Sequence, residues 1–543
     1  MNVRPQRIDM RGSRLNFLLR SQQTFEASYD ESMKYLVGLN FREQLSWLSV
    51  VLFYAIVANV PYWAASHAFG FYKQLGIFCV EYAIVGAIAC FVPRIVSAGI
   101  LLIVILCDLL CSVCLSYSLP IRQCVDNVGG AVQGLTAERF VYATSILSLL
   151  LLTSAAAGSL RANALAFRFR LRAALCLSCF AATIVVIDLS AIYLSVHRAT
   201  GDLPTLFGTR PVGDGSDPEF SGTPRLARVQ SERLIRMVVL HRFVGAFEKH
   251  GKASDFPVPS ATGAAVGPEG LMARQSSATL PNIVLVLVES WGLAGDLQLR
   301  NALVRPYLQP AVTNGYHVVQ GDVAFHGSTV PGEARELCAS GIGYYVTIAP
   351  RSDLGTCLPA QLVSAGYYNI ALHGMNGLMF NRTSWWSRIG FQEMWFNEEL
   401  KRQGMPDCIG AHRGTCDANI AGWIGHRLAQ DNSKPLFVYW VTLNSHLPVP
   451  VPTTLADPAP CAASISLVPR TALCSWYQLV SKVHESVALA AMSKTSRPTV
   501  FIVVGDHTPP FSTQTLRDGF SQTEVPYVLL LPKAMAGDNS SYR

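Results

Sequence analysis

Apolar residues along this chain fall into two different patterns. Before residue 200 they form five long stretches, at 45–65, 75–92, 96–115, 141–160 and 173–196. A helix needs about 20 apolar residues to cross the hydrocarbon of a bilayer, so these stretches predict five membrane-spanning helices. The second is the shortest and carries Glu81. From residue 281 onward the apolar runs become short, at 283–288, 369–372, 436–441, 500–504 and 527–531, and they alternate with segments of helical spacing. Short continuous runs predict buried parallel strands, and their alternation with helices predicts an α/β sandwich. Residues 198–280 differ from both halves, with Gly, Pro, Ser and Arg concentrated at 201–224 and 251–277. Within that linker, Leu234, Met237, Val238, Leu240, Val244 and Phe247 recur at helical spacing among Arg and His. They predict an amphipathic helix over 225–247, either lying on a membrane surface or docked on the domain that follows. The expected organisation is a basic N-terminus at 1–43, a membrane domain of five helices at 44–197, the linker at 198–280, and an α/β sandwich at 281–543.

Composition supports the division. Half of the residues are hydrophobic and 15% are charged, against about 25% charged in ordinary soluble domains. Residues 1–43 contain Arg4, Arg7, Arg11, Arg14, Arg20 and Arg42 and lack the apolar core and cleavage site of a secretory signal, so the first apolar stretch is expected to stay as an anchor. The net charge is +7, and its placement sets the expected topology. The N-terminal arginines, Arg94, and the cluster Arg161, Arg168, Arg170 and Arg172 fall on one side; Lys73 and the nearly balanced loop 120–138 fall on the other. Positive loops stay cytoplasmic, and an odd number of crossings puts everything after His197 outside. Glu81 and Asp108 lie within the apolar stretches, where a charge is costly; each either faces a neighbouring helix or marks a function.

Cysteines fit an oxidising location. Cys338, Cys357, Cys408, Cys416, Cys461 and Cys474 form near-neighbour pairs, 338/357, 408/416 and 461/474. Disulfides persist in compartments such as the periplasm, whereas zinc-binding cysteines would favour a C-x-x-C spacing that this half lacks.

Chemistry gathers where the apolar runs end. Ligands of open α/β sheets bind outside the carboxyl ends of the strands. Glu289-Ser290 follows the first run, His373-Gly374 the second, Asn444-Ser445-His446 the third, and Gly505-Asp506-His507 the fourth. Glu289, Asp506 and His507 offer two carboxylates and an imidazole, a donor set suited to a divalent metal with room for one more ligand. The segment His326-Gly-Ser-Thr-Val-Pro-Gly-Glu333 precedes a stretch that can be helical. Proline suits a first helical turn, which puts Thr329 at a helix N-terminus, where backbone N–H groups favour a phosphate. Metal contact would make its hydroxyl a nucleophile; Ser328 is the alternative.

These segments, in this order, resemble the alkaline phosphatase/sulfatase superfamily, and most closely lipoteichoic acid synthases and periplasmic glucan phosphoglycerol transferases. The resemblance implies an N-terminal membrane domain carrying an extracytoplasmic enzyme of alkaline phosphatase-like fold. In NIVLVLVES it implies that Glu289 binds the metal. In GSTVPGE it makes Thr329 the nucleophile and a metal contact. In VVGDH it implies that Asp506 and His507 complete the metal site. In LNSHLP it places His446 near the phosphoryl group. In HGMNGLMFNR it implies that His373 and Arg382 hold a lipid headgroup phosphate, with Phe380 where the family often has tryptophan. Glu333 and Arg335 would either contact donor or acceptor or lie on the surface of their helix.

The activity implied is transfer of a phospholipid headgroup phosphate through a phosphothreonine to an envelope glycan or glycolipid. The expected donor is phosphatidylglycerol, with phosphatidylethanolamine and transfer to lipid A or a polysaccharide as the alternative. The expected cofactor is manganese, with zinc or magnesium as alternatives. The expected location is a bacterial inner membrane with the enzyme in the periplasm, and no nucleic acid is expected as a partner. A sulfuric ester hydrolase would need cysteine or serine to become formylglycine, and Thr329 cannot supply that aldehyde; an inactive membrane scaffold would not need the intact Glu289, Thr329, Asp506 and His507.

Overall fold

The computed structural model describes residues 45–69, 78–116, 137–160, 165–199, 251–267, 280–408, 410–430, 433–447, 449, 470–511 and 514–535. The chain divides into two compact units, one of N-terminal helices and one that holds the sheet.

Three helices among the described residues are long and apolar enough to cross a membrane: Leu45–Ala65, Phe140–Ser159 and Phe167–Val186. Val80–Ala89 has only 10 residues, where the sequence pattern predicts a span from 75 to 92. Arg94–Ser116 is a helix of 23 residues at the position of the third expected span. Asn59 shows how polar groups are accommodated here: its amide nitrogen donates to the Ala55 carbonyl and its oxygen accepts from the Cys79 amide. Gly86 lets its helix approach Tyr54, because a Cβ there would sit 2.5 Å from the tyrosine side chain. Glu81 is half-buried and Asp108 buried. The predicted amphipathic helix at 225–247 lies outside the described residues.

The second unit is built on seven strands in the order β2-β9-β8-β1-β7-β3-β4. They are β1 (Asn282–Val288), β2 (Tyr316–Ala324), β3 (Tyr368–His373), β4 (Glu393–Trp395), β7 (Leu436–Val441), β8 (Thr499–Gly505) and β9 (Glu524–Pro532). A separate two-stranded ribbon pairs β5 (Asp407–Cys408) with β6 (Gly414–Thr415). β4, β3, β7, β1 and β8 run parallel.

The central strands are buried on both faces, which is why they read as unbroken apolar runs. In β1, Ile283, Leu285 and Leu287 enter one core and Val284, Val286 and Val288 the other. Helices Leu297–Val304, Asp417–Ala429 and Arg470–Met492 cover the second of these faces, and helices Thr329–Cys338, Leu358–Ser364 and Arg382–Arg388 the first. Full burial of each large aliphatic chain contributes roughly 1.5–3 kcal/mol, so the two cores hold the sheet edge rigidly.

One expectation is corrected. The run at 527–531 belongs to β9, which is antiparallel to β8. A parallel neighbour requires a crossover to the opposite edge. After β8 the chain instead stays at the carboxyl edge, bonded there through Gly295 to Gly519 and Ser521 to Leu293, and returns directly. β2 escaped the sequence pattern because it is an edge strand, half-exposed and broken by Gln320 and Asp322.

Candidate metal centre and phosphate site

Glu289 begins the loop after β1, and its backbone is fixed from β7: its amide donates to Thr442 Oγ1 at 2.9 Å and its carbonyl accepts from Ser445 Oγ at 2.6 Å. Ser290 adopts a left-handed conformation, φ 58°. That turn lets its amide donate to Asp506 Oδ1 at 2.7 Å while its hydroxyl donates to Glu289 Oε1 at 2.8 Å. Ser290 thus ties the ends of β1 and β8 together. Gly505 is required at the end of β8 because a Cβ there would lie 1.9 Å from the Trp291 carbonyl.

Glu289, Asp506 and His507 are all buried, with potential ligand atoms within 4.8 Å of one another. His507 Nε2 lies 3.4 Å from both Glu289 Oε1 and Asp506 Oδ2. The other ring nitrogen, Nδ1, is bonded to the Thr508 carbonyl at 2.9 Å, an arrangement that orients Nε2 as a ligand. Asp506 Oδ2 is buried without a hydrogen-bond partner. A buried carboxylate oxygen with no hydrogen bond, and only the His507 ring 3.4 Å away, is costly, and in this cluster a metal cation would satisfy it. The donor set therefore fits a divalent ion.

Electrostatics agree with a site that wants positive charge. Burial and the Glu289 charge push Asp506 up to about 8. Burial opposes charging of His507, but Asp506 and Glu289 outweigh it and hold the imidazole at about 9. Burial also works to raise Glu289, yet His446, His507 and the Ser290 hydroxyl keep it below the usual carboxylate range.

Thr329 is the first residue of the helix Thr329–Cys338. Its hydroxyl donates to Glu289 Oε2 at 3.1 Å. Ser328, the residue before, turns its hydroxyl to that of Tyr344 instead. The structure therefore brings Thr329, and not Ser328, to the carboxylate cluster. Gly332 lets the helix pack on the metal-site loop, since a Cβ there would meet Asp506 at 3.2 Å.

His373 ends β3 with Nδ1 bonded to the Val441 carbonyl at 3.0 Å. Burial, then the Arg382 charge, lowers it to about 3, so it is neutral. His446 is half-buried, with Nδ1 on the Leu447 carbonyl at 2.7 Å. Arg382 is buried and bound by Glu333 through Nε at 3.0 Å and Nη2 at 2.7 Å. Phe380 is half-buried, its ring centroid 5.3 Å from the Arg382 guanidinium carbon.

Surface placement of Glu333 and Arg335 is corrected: both are buried. Arg335 is paired with Glu336 at 2.6 Å and donates to the Gly505 carbonyl at 2.6 Å, so it braces the loop that carries Asp506.

Two residues that local pattern did not single out also belong to this edge. Asp417 accepts from the amides of Leu443 and Asn444 and holds the loop leading to His446; burial raises it to about 7 against those donors. His412 meets His446 edge to face, with ring centroids 4.5 Å apart. It sits in the β5–β6 ribbon, which the Cys408–Cys416 disulfide closes and which Thr415 docks on the Gly374 carbonyl at 2.8 Å. A disulfide-spaced cysteine pair around a histidine was the available signal. Cys338–Cys357 is also formed. Cys474 is disulfide-bonded, and Cys461 lies outside the described residues.

Residues 281–541 match the family model described as Sulfatase. This part of the chain is similar to the sulfatase family. A protein of Rhizobium meliloti, named for a proposed role in cyclic beta-1,2-glucan modification, is 26% identical over 157 residues, which is 28% of this chain and 24% of that relative. The chain thus spans about a quarter of the length of that curated relative. Among solved structures, the lipoteichoic acid synthase LtaP of Listeria monocytogenes is similar at 14% identity and a TM-score of 0.35, covering 51% of this chain and 71% of its own. The phosphoglycerol transferase GacH of Streptococcus pyogenes, solved with sn-glycerol-1-phosphate, is similar at 16% identity and a TM-score of 0.32, covering 51% and 77%.

Proposed function

We propose that this protein is a multi-pass enzyme of a bacterial inner membrane that moves a phospholipid headgroup phosphate, phosphoglycerol from phosphatidylglycerol, to a periplasmic glycan or glycolipid. The observation that carries the reading is the Thr329 hydroxyl, held at a helix N-terminus 3.1 Å from a carboxylate of a buried Glu-Asp-His cluster. Glu289, Asp506 and His507 would hold the ion, manganese first and zinc or magnesium otherwise, with Thr329 completing the set. The ion supplies Lewis acidity that lowers the pKa of the threonine hydroxyl.

Thr329 Oγ1 attacks the phosphorus of the lipid diester, and the bond to the diacylglycerol oxygen breaks. The threonine proton passes to solvent, and diacylglycerol leaves with one delivered by His446 as general acid. Arg382 holds the nonbridging oxygens, a task suited to a guanidinium, and His373 joins it once the bound phosphate charge favours a proton on Nε2. In the second step an acceptor hydroxyl attacks the phosphothreonine and gives its proton to His446, the bond from phosphorus to Thr329 Oγ1 breaks, and Thr329 takes a proton back from solvent. The helix N-terminus presents backbone donors to the phosphate throughout.

Glycerol is favoured over ethanolamine because an ammonium headgroup needs an acidic partner. Among the described residues, Glu333 already accepts from Arg382 and Trp386, and Asp417 from Leu443 and Asn444. Sulfuric ester hydrolysis is disfavoured because threonine, not cysteine or serine, faces the cluster.

Intact mass spectrometry of the full chain in detergent, with manganese and either phospholipid, tests the reading. A glycerophosphate adduct supports it. A phosphoethanolamine adduct keeps the mechanism and replaces the donor. Turnover of a sulfate ester with no phospholipid adduct sinks it.

A further inference from the structure

Glu333 lies four residues beyond Thr329, one turn along the same helix, and has no exposed surface. A buried carboxylate is tolerated only when its oxygens are bonded. Here Oε1 accepts both Nε and Nη2 of Arg382, at 3.0 and 2.7 Å, and Oε2 accepts Trp386 Nε1 at 2.9 Å. Trp386 is itself wedged against Phe396 and Tyr439, with centroids 5.3 and 5.6 Å away.

The segment leading to Arg382 is held in an unusual shape. Phe380 and Asn381 are both left-handed, φ 56° and 55°. That conformation costs a residue with a Cβ roughly 1–2 kcal/mol, so the surroundings must impose it. Asn381 Nδ2 donates to the Thr347 carbonyl at 3.0 Å, and the Phe380 ring lies 6.0 Å from that of Tyr344. Tyr344 in turn holds Ser328, the residue at the N-cap position of the Thr329 helix. Segment 380–382 is therefore tied to the nucleophile helix on both sides of Thr329, through Tyr344 before it and Glu333 after it.

We propose that Glu333 is a positioning residue that fixes the distance and orientation of the Arg382 guanidinium relative to Thr329, leaving Nη1 as its phosphate-binding edge. This rests on the transferase reading for the identity of the anion, a glycerol phosphate ester. With the Nε hydrogen and one Nη2 hydrogen committed to Glu333, Arg382 meets the anion along its fixed Nη1 side and not as a freely rotating fork. A guanidinium released from Glu333 keeps its charge and loses that preorganisation.

The test uses the full-length protein with Thr329→Ala, which prevents turnover, and sn-glycerol-1-phosphate as the probe in calorimetry with manganese present. Adding Glu333→Gln is expected to raise Kd about tenfold, the scale of one charge-assisted hydrogen bond, while manganese affinity stays at the parent value. In the otherwise wild-type enzyme the same substitution is expected to raise KM for the lipid more than it lowers kcat. Trp386→Phe removes only the Oε2 donor; it is expected to lower the melting temperature and leave Kd unchanged. If Glu333→Gln does not fold, Glu333→Asp keeps the charge, shortens the reach, and is expected to raise Kd in the same way. A folded, manganese-binding variant of either kind with the parent Kd overturns the proposal, as does a parent that binds no glycerol phosphate. A parent that binds the probe while the wild type forms no lipid adduct overturns the transferase reading alone, and the Kd comparison still decides the role of Glu333.

Discussion

Thr329 and Glu289 stand 40 residues apart in the chain, yet the threonine hydroxyl lies 3.1 Å from Oε2 of the glutamate. The contact joins the first turn of a helix to the end of the central strand, and it makes the threonine a candidate nucleophile and metal donor at once.

Thr329→Ala is therefore expected to abolish the covalent adduct and to lower transfer by on the order of 10³-fold or more. Thr329→Ser keeps a hydroxyl at the cluster and is expected to retain measurable adduct. Intact mass and steady-state rates on the same preparations check both. An adduct of undiminished yield on Thr329→Ala would move the nucleophile elsewhere.

Asp506→Asn, which alters the one buried ligand oxygen without a hydrogen-bond partner, is expected to weaken divalent-ion binding by at least about 100-fold. Isothermal titration with manganese, after removal of bound ions by a chelator, measures it. The wild-type enzyme treated with the chelator is expected to lose transfer and to recover it on adding the ion back. Affinity equal to wild type in Asp506→Asn would remove Asp506 from the centre.

His484 gives a pH signature that does not involve the centre. It is buried, with Nδ1 bonded to the Tyr307 hydroxyl at 2.9 Å and its ring edge-on to Trp291 at 4.3 Å. Burial lowers it from 6.5 to about 3. The fold thus prefers the neutral ring. Its contribution is fully present above about pH 6.5 and is lost as pH falls toward 3, by up to about 1.4 kcal/mol per pH unit. His373 is lowered in the same direction, so His484→Phe should reduce the acid slope without removing it. Thermal unfolding of both proteins at pH 7, 6 and 5 compares the slopes, and equal slopes would show that His484 does not titrate between the two states.

His412 stands in ring contact with His446 because the Cys408–Cys416 bridge closes its loop. His412→Ala is expected to lower kcat about tenfold, less than the 10²–10⁴ typical of a direct acid or base, with an unchanged melting temperature. Replacing both cysteines by serine removes about 2–3 kcal/mol of loop-closure stabilisation and should lower both activity and melting temperature. Full activity in His412→Ala would confine the histidine to packing.

Much of the candidate site's placement is legible in the sequence. A continuous apolar run of about four to six residues reads as a doubly buried parallel strand, and parallel strands end at one edge. Glu289, His373, His446 and Asp506-His507 each follow such a run, so strand direction alone brings them together. Proline in GSTVPGE similarly marks Thr329 as the start of a helix. These readings rest on periodicity and backbone direction, which are properties of local sequence.

Other features were decided only in three dimensions. β9 turns back antiparallel because bonds between its preceding loop and residues 293–295 hold the chain at the carboxyl edge. Thr329 faces the carboxylates and Ser328 does not because Tyr344, 16 residues away from Ser328, takes the serine hydroxyl. Glu333 leaves the surface because Arg382, 49 residues later, neutralises it inside the core. Ser290 joins two strand ends across 216 residues. A short polar side chain has the same local signature whether it meets water or a buried partner; the partner decides, and only the folded sheet brings the partner within reach.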